Sequence, residues 1–336
     1  MAVPKFRRRP PLPAVLAAAL LALDFATALS LAVGARPIPL PEVWAALTAR
    51  TSGPVSAIIW DRRVPRTLVA VVCGASLGLA GALAQALTRN PLADTGVLGI
   101  NSGAAFAIVV GLAAGAPDSS FALSALAVAG AGAAGAGIYA LSRGGAGGVD
   151  PLRLVLAGVA LSAIVGGIGD GLALVNPQAF DRLHAWMVGS VDVGSYRPVY
   201  LALTGLALGG AAAAASIRGL GALQLGEETA AALGAHLART RATALAAIIV
   251  LAATATAAAG VIVFLGLLVP HIARWLVGAS FERILALSGL IGPIVLLSAD
   301  IAGRVLTPGE FPAGVVVSFI GAPFLVAYAQ LRRKGI

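Results

Sequence analysis

The chain consists of long apolar stretches separated by short polar gaps, and this pattern limits its possible folds more than any other feature. Charged residues make up only 11% of the 336 residues, whereas they account for about a quarter of a soluble domain. With 59% hydrophobic residues, the chain would expose too much hydrocarbon in water, so lipid must surround much of it. Because a spanning helix needs about 20 apolar residues, the length allows roughly ten spans and no large domain outside the membrane.

Ten stretches are predicted to cross the membrane as helices. They cover residues 12–34, 64–88, 96–116, 120–142, 152–175, 195–217, 240–259, 261–276, 284–301 and 311–331. Residues 240–276 form either one long span or two short ones, with breaks expected near Gly260 and Pro270. The first stretch is longer than the ~7–15 apolar residues of a signal peptide, so we interpret it as an uncleaved span. We therefore predict an all-α polytopic membrane protein with one transmembrane domain over residues 1–336.

The basic residues predict the orientation of the chain. With ten spans and a cytoplasmic N-terminus, most of the 23 Lys and Arg residues fall on the cytoplasmic side, as the positive-inside rule requires. Nine spans would instead place Arg332, Arg333 and Lys334 outside. We therefore predict that both termini are cytoplasmic. Because the net charge of +9 is explained as a topology signal, we expect no nucleic-acid partner.

Motifs for chemistry on the chain itself are missing from the sequence. There is no G-x-x-x-x-G-K-[ST] loop for ATP. His184, His236 and His271 are far apart in sequence and lack a partner at helical spacing, and Cys73 is the only cysteine. We therefore expect neither enzymatic activity nor a bound metal or cofactor.

Two acidic residues lie deep in apolar runs, Asp24 in the first predicted span and Asp170 in the fifth. A carboxylate inside a membrane is a candidate for ion or proton coupling, as in a secondary transporter. Alternatively, each carboxylate faces a water-filled cavity or accepts a hydrogen bond between helices. No buried lysine or arginine accompanies them, so another source of energy is favoured.

The longest predicted cytoplasmic segment covers residues 219–239. It is predicted to form two short helices, with an apolar stripe of Leu223, Ala230 and Leu233 and with Gly234 as a C-cap. Small apolar residues between charges suit a projection that seats in a groove of another protein. An ordinary amphipathic surface loop is the alternative.

The predicted outer side carries an arginine cluster in the sequence DRRVPR at residues 61–66. Arginines on the less basic side oppose the topology rule, and forked guanidinium groups bind carboxylates well. We therefore predict that Arg63 and Arg66 bind carboxylates on a partner protein, together with Arg304 at the outer end of another predicted span. Contact with interfacial lipid phosphate is the alternative.

A series of short motifs carries a resemblance to a known family. The motifs are RVPRT at 63–67, GALAQ at 81–85, TRNPLADTGVLG at 88–99, LAGVAL at 156–161, WMVGS at 186–190, GLLVPHIAR at 266–274, AD at 299–300, PAGV at 312–315 and IGAPF at 320–324. Together and in this order, they resemble the FecCD-type permeases of iron-siderophore, haem and cobalamin ABC importers.

The resemblance implies the type II ABC importer permease fold in a bacterial cytoplasmic membrane. It implies a second permease subunit, identical or different, two cytoplasmic ATPases that use the ATP, and an external substrate-binding protein. It assigns ATPase coupling to a loop at about residues 219–240 and binding-protein docking to Arg63, Arg66 and Arg304. The coupling residues are Leu223, Glu227, Ala230, Leu233, Gly234 and Arg239. The implied cytoplasmic gate comprises Asn90, Pro91, Leu92, Asp150, Pro151 and Leu152.

The cargo class follows from the same resemblance. A large polar chelate cannot dissolve in hydrocarbon, so it needs a path between two subunits. We expect the fifth span, around Leu161 to Asp170, to line this path together with the second span. Residues 88–99, 176–181 and 186–190 look closer to siderophore permeases than to the cobalamin permease, which predicts import of ferric siderophores. A haem or cobalamin permease of the same family is the first alternative. An ion-coupled secondary transporter using Asp24 or Asp170 is the second.

Overall fold

The computed structural model describes residues 10–34, 37–49, 53–142, 150–306 and 310–333, and these residues form helices without strands. The α-helices are α1 (Leu12–Ala32), α2 (Leu40–Ala49), α3 (Pro54–Ile58), α4 (Val64–Thr88), α5 (Ile100–Ala113), α6 (Ser120–Ser142), α7 (Pro151–Val175), α8 (Pro177–Met187), α9 (Arg197–Leu223), α10 (Glu227–Ala232), α11 (Leu237–Ala259), α12 (Leu265–Val277), α13 (Phe281–Leu306) and α14 (Ala313–Arg333). A π-helical turn (Ile59–Arg63) joins α3 to α4, and a 3-10 turn (Thr95–Leu98) precedes α5.

The predicted spans correspond to apolar helices. Within the described residues, seven helical segments are long and apolar enough to cross a membrane: α1, continuous α3–α4, α6, α7, α9, α11 and α13. Shorter apolar helices α5, α12 and α14 occupy the other three predicted positions. The prediction of an all-helical polytopic membrane protein is therefore confirmed.

The stretch at residues 240–276 breaks only once. Helix α11 ends at Ala259, and Gly260 follows with φ +71°, a conformation that glycine adopts without steric cost. Helix α12 begins five residues later and continues through Pro270, so the expected break at the proline was wrong. A proline inside a membrane helix removes one main-chain hydrogen bond, and packing of neighbouring helices allows the helix to continue.

Helices α2 and α8 were not predicted. Helix α2 has 10 residues and α8 has 11, so neither is long enough to produce a spanning signal. The segment at residues 219–239 also differs from its prediction, because α10 is the only separate short helix described there. The other residues of this segment that were predicted to be helical belong to the end of α9 and the start of α11. Both of these helices extend beyond their predicted bounds.

Helices α4 and α11 form the centre of the bundle. In the most apolar 18-residue stretch of each helix, 78% of the residues are buried in the α3–α4 segment and 72% in α11, but only 17% in α7. Helix α4 packs against α13, α11, α9 and α12, and α11 also packs against α9 and α6. The largely exposed α7 is therefore a peripheral helix of this single chain.

Glycines lie where the central helices cross most closely. A Cβ atom at Gly81 of α4 would lie 1.9 Å from the carbonyl oxygen of Gly266 in α12, and one at Gly74 would lie 2.7 Å from backbone atoms of Gly292 in α13. In lipid, such close backbone approach replaces the hydrophobic effect as a source of helix association. These two crossings fix α4 against α12 and α13.

Candidate functional site

One buried carboxylate organises the predicted arginine cluster. Arg66 donates hydrogen bonds from Nε and Nη2 to Asp300 Oδ1 at 3.1 and 2.8 Å, and Arg304 Nε donates to Asp300 Oδ2 at 3.0 Å. Asp300 is 1% exposed, Arg66 is 9% exposed and Arg304 is 6% exposed. Buried charges of this kind persist only when they are paired and hydrogen-bonded. The cluster therefore joins α4 to α13 through ionic contacts.

Arg63 and Arg304 hold the C-terminal end of α1. Arg63 Nη1 donates to the carbonyl oxygens of Leu31 and Ala32 at 2.6 and 2.8 Å. Arg304 Nη1 donates to the carbonyl oxygens of Ser30 and Val33, both at 2.8 Å. The last carbonyl groups of a helix lack partners within it and carry partial negative charge, so guanidinium groups suit this position.

The structure brings the three predicted docking arginines together but turns them inward. Arg66 also lies 2.8 Å from Glu310 and 3.5 Å from Asp192, whose side chains are 33% and 51% exposed. A docking role for the arginines stays a prediction. It requires a partner's carboxylates to replace the protein's own.

At the opposite end, α10 and its flanking turns form the predicted coupling segment. Gly234 ends α10 with φ +82°, and its N–H donates to the carbonyl oxygen of Ala231 at 2.9 Å. Of the predicted apolar stripe, Leu223 and Ala230 are buried at 5% and 0% exposure, whereas Leu233 is 67% exposed. Leu225, which the sequence analysis did not single out, is also 67% exposed. The large apolar side chains that this segment exposes are therefore Leu225 and Leu233.

A groove of about 530 Å³ lies beside this segment. Its lining includes Leu233, Gly234, Arg218 at the end of α9, and His236 and Arg239 near the start of α11. The predicted coupling residues Leu233, Gly234 and Arg239 thus share one concave surface. Apolar and cationic side chains on such a surface suit a projecting segment of another protein.

Glu227 connects α10 to two other helices. Its Oε1 atom accepts a 2.6 Å hydrogen bond from Arg241 Nη2 of α11 and lies 3.6 Å from Arg89 Nη2 at the end of α4. Arg89 has φ +52° and directly precedes the candidate gate residues 90–92. In the sequence, Arg89 is one position of the motif at residues 88–99 and Arg241 is only one of the basic residues that predict topology, because nothing local links positions so far apart. Glu227 places the coupling segment next to the candidate gate.

Each of the two candidate gate segments is shaped by a side chain that bonds to the backbone. Asn90 Oδ1 accepts a hydrogen bond from the Leu92 N–H at 2.9 Å, which forms a tight turn after α4. Asp150 Oδ1 accepts one from the Leu152 N–H at 2.8 Å at the start of α7, next to Pro151. The Leu92 and Leu152 side chains are 42% and 68% exposed. Both leucines are thus available to line a constriction.

Asp94 lies between the gate turn and the start of α12. Burial raises the pKa of its carboxyl above the usual value, while the backbone N–H groups of Thr95, Gly96 and Phe264 oppose this shift. Among the described residues, no group hydrogen-bonds to its buried Oδ1 atom. In the sequence, Asp94 stands out only as one position of the motif at residues 88–99. Because it contacts Phe264, the N-cap of α12, Asp94 connects the gate turn to the start of α12.

The predicted pathway residues lie on the exposed helix α7. Leu161 is half-buried and Asp170 is exposed, and Leu156, Ile164 and Ile168 on the same helix are 59%, 61% and 54% exposed. Asp24 is exposed on α1. Within the described part of the chain, no ion pair joins either acid to a cation, and no three His, Cys, Asp or Glu side chains form a metal site.

The sequence of this chain is similar to a known family of transport proteins. Residues 20–331 match the model of the FecCD transport family. The chain is 45% identical to the ferric enterobactin transport system permease protein FepD of Escherichia coli K12 over 94% of this chain and 95% of that protein. It is 35% identical to the iron(3+)-hydroxamate import system permease protein FhuB of Bacillus subtilis 168, over 96% of this chain and 84% of that protein.

A solved structure has the same fold. It is described as a metal-chelate type ABC transporter in an inward-facing conformation, and it superposes with a TM-score of 0.82 at 26% identity. The match covers 95% of this chain and 99% of that chain. The arrangement of helices described above is therefore that of the metal-chelate type ABC transporter chain.

Proposed function

Because the chain belongs to the FecCD transport family, we infer that it is the membrane-spanning permease subunit of an ATP-driven importer of ferric siderophores. The observation that carries this inference is the 45% identity with a ferric enterobactin permease along nearly the whole chain. The predicted family membership, fold and transport class all agree with it. A haem or cobalamin chelate is the competing cargo.

A translocation path for such a cargo requires a second permease subunit. A ferric siderophore is large and polar, so it has to cross the membrane between subunits rather than through one packed bundle. Helix α7 supports this arrangement, because it is apolar yet only 17% buried in the single chain. In this arrangement Leu161 and Asp170 line the path. Because α7 carries few other charged side chains, few groups would bind the cargo strongly enough to hinder its release.

The energy for import is proposed to come from two separate ATPase subunits. They bind at the end of the bundle that carries α10, where Leu225 and Leu233 are exposed beside the groove containing Arg239. Movement of α10 then reaches the gate residues 90–92 through Glu227 and Arg89, whose charged atoms are 3.6 Å apart. This end lies in the cytoplasm in the proposed orientation, together with both termini.

An external binding protein is proposed to deliver the chelate at the opposite end. Arg63, Arg66 and Arg304 lie there, and Asp300, Glu310 and α1 carbonyl groups occupy them in this structure. Docking therefore exchanges these internal partners for carboxylates of the binding protein. Without the binding protein, the cluster holds the ends of three helices together.

Uptake by the reconstituted transporter tests the proposed function. The permease, its ATPase and its binding protein in proteoliposomes are expected to accumulate ⁵⁵Fe-labelled ferric siderophore only with ATP inside the compartment that holds the ATPase. Haem and cobalamin uptake measured in parallel identifies the cargo class. Accumulation that persists without ATP and stops when an ion gradient is collapsed would instead establish a secondary transporter.

Replacing Leu233 with glutamate is expected to reduce ATPase binding to the permease by at least about tenfold, because a charge would replace an exposed apolar anchor. Leu306→Glu is the matched control, since Leu306 is equally exposed, 67%, at the opposite end of the bundle. Binding is measured by co-purification and by the affinity of the isolated ATPase for permease in nanodiscs. Equal binding by both variants would exclude Leu233 from the coupling surface.

A further inference from the structure

A wide groove separates α6 from α9 at the end of the bundle that carries the arginine cluster. Both helices pack against α11, and Ser124 of α6 donates a 3.0 Å hydrogen bond to the carbonyl oxygen of Ala257 in α11. Tyr196, next to the start of α9, donates to the carbonyl oxygen of Trp60 at 2.7 Å, which places this start beside the arginine-bearing turn. The groove has a volume of about 1230 Å³.

The lining of the groove changes from polar to apolar along its length. Ser119, Ser120, Ser195 and Arg197 lie at the helix starts, at one end of the groove. The deeper lining is almost entirely apolar and consists of Phe121, Ala125, Val128, Ala129, Pro198 and Leu201, with the Ser124 hydroxyl bonded to α11. An amphipathic molecule with its polar group at the helix starts and its hydrocarbon along the groove matches this distribution.

The depth of the groove corresponds to one membrane leaflet. From Ser120 to Ala129 the α6 axis rises about 14 Å at 1.5 Å per residue, which is close to half of the ~30 Å hydrocarbon thickness of a bilayer. The polar end therefore lies at the level of the lipid headgroups. Tyr200, which is 63% exposed beside Arg197, suits this interfacial position.

We propose that this groove is a binding site for an anionic glycerophospholipid, with an acyl chain along α6 and the phosphate group at Arg197. Arg197 is exposed, and its guanidinium forms bidentate contacts with phosphate oxygens. It lies in the first turn of the 27-residue helix α9, where the free N–H groups and the helix dipole also favour an anion. The site is independent of the transport assignment.

Native mass spectrometry of the delipidated full-length protein tests the site. With equal amounts of phosphatidylglycerol and phosphatidylcholine of identical acyl chains, the protein is expected to retain the anionic lipid preferentially. Arg197→Gln is expected to reduce this preference about fivefold, in line with the effect of one arginine at an anionic membrane surface. Arg283→Gln, which changes an exposed arginine at the opposite end, is expected to leave the preference unchanged.

A second pair of variants tests the hydrocarbon part of the groove. Ala129→Trp fills the groove and is expected to abolish retention of the bound lipid, whereas Ala136→Trp, at an exposed α6 position outside the lining, is expected to preserve it. Equal retention of both lipids by the unmodified protein, or equal retention by both tryptophan variants, would overturn the proposal. Loss of a dimer rather than of lipid in Ala129→Trp would assign the groove to a second copy of the chain and overturn it as well.

Discussion

Replacing Asp300 with asparagine is expected to lower the free energy of unfolding by about 3–5 kcal/mol. The asparagine side chain has almost the same shape, but it removes the negative charge that two buried guanidinium groups share. Arg66 and Arg304 are then left in a buried cluster without sufficient counter-charge. Loss of one partner from a buried ion pair typically has an effect of this size, because the remaining charge cannot return to water.

Asp192→Asn is the matched control for this experiment. Its carboxylate also faces Arg66, but at 3.5 Å and with 51% of the side chain exposed, so its removal is expected to change stability by less than about 1 kcal/mol. Denaturant unfolding in detergent micelles, followed by intrinsic tryptophan fluorescence, measures both effects. If the two variants are equally stable, Asp300 does not hold the cluster together.

Replacing Gly81 with alanine is expected to destabilise the bundle by about 3 kcal/mol, at the upper end of the usual range for overpacking. The new Cβ atom would lie 1.9 Å from the carbonyl oxygen of Gly266 and 2.4 Å from its carbonyl carbon. Both neighbours are backbone atoms of α12, so no side-chain rotation relieves the clash. Helices α4 and α12 would have to separate, which weakens the hydrogen bonds that Gln85 makes with the Leu267 carbonyl oxygen at 3.3 Å and with Arg274 Nη2 at 3.2 Å.

Gly289→Ala provides the control, because it makes the same chemical change in the interior of α13. Its Cβ atom would meet only the Leu79 side chain, at 3.5 Å, and alanine is favoured over glycine in a helix by about 1 kcal/mol. This variant is expected to match or exceed the parent in stability. The yield of monodisperse protein and thermal unfolding in the same detergent measure both effects. An equal loss of stability in the two variants would contradict the proposed helix crossing.

The sequence predicts the transmembrane helices well because each needs only a long apolar run. Gly260 also marked the end of α11 correctly, since its positive φ is a local property of glycine. The helix break predicted at Pro270 is wrong, because a proline breaks an isolated helix but is tolerated when neighbouring helices pack against it. Helices α2 and α8 are too short to give a spanning signal, so composition did not reveal them.

The candidate sites were predictable in position but not in environment. The sequence analysis grouped Arg63, Arg66 and Arg304 on one outer surface, yet the pairing of buried Arg66 and Arg304 depends on Asp300. The role of Asp300 as a shared partner emerges only when α4 and α13 pack together. Similarly, Glu227 was recognised as part of the coupling segment, but its contact with Arg89 joins helices far apart in sequence. The orientation of the termini and the docking and coupling roles stay predictions.

The guanidinium groups at the end of α1 affect the order in which the protein is assembled. Helix α1 is synthesised before α13, but the cation that bonds to Ser30 and Val33 is supplied by Arg304, 274 residues later than Ser30. Until α13 has entered the membrane, those carbonyl groups depend on water or lipid headgroups. Nascent chains that stop before α13 should therefore retain a first helix whose end is bonded to Arg63 but not to Arg304, and it becomes fully fixed once α13 has been inserted.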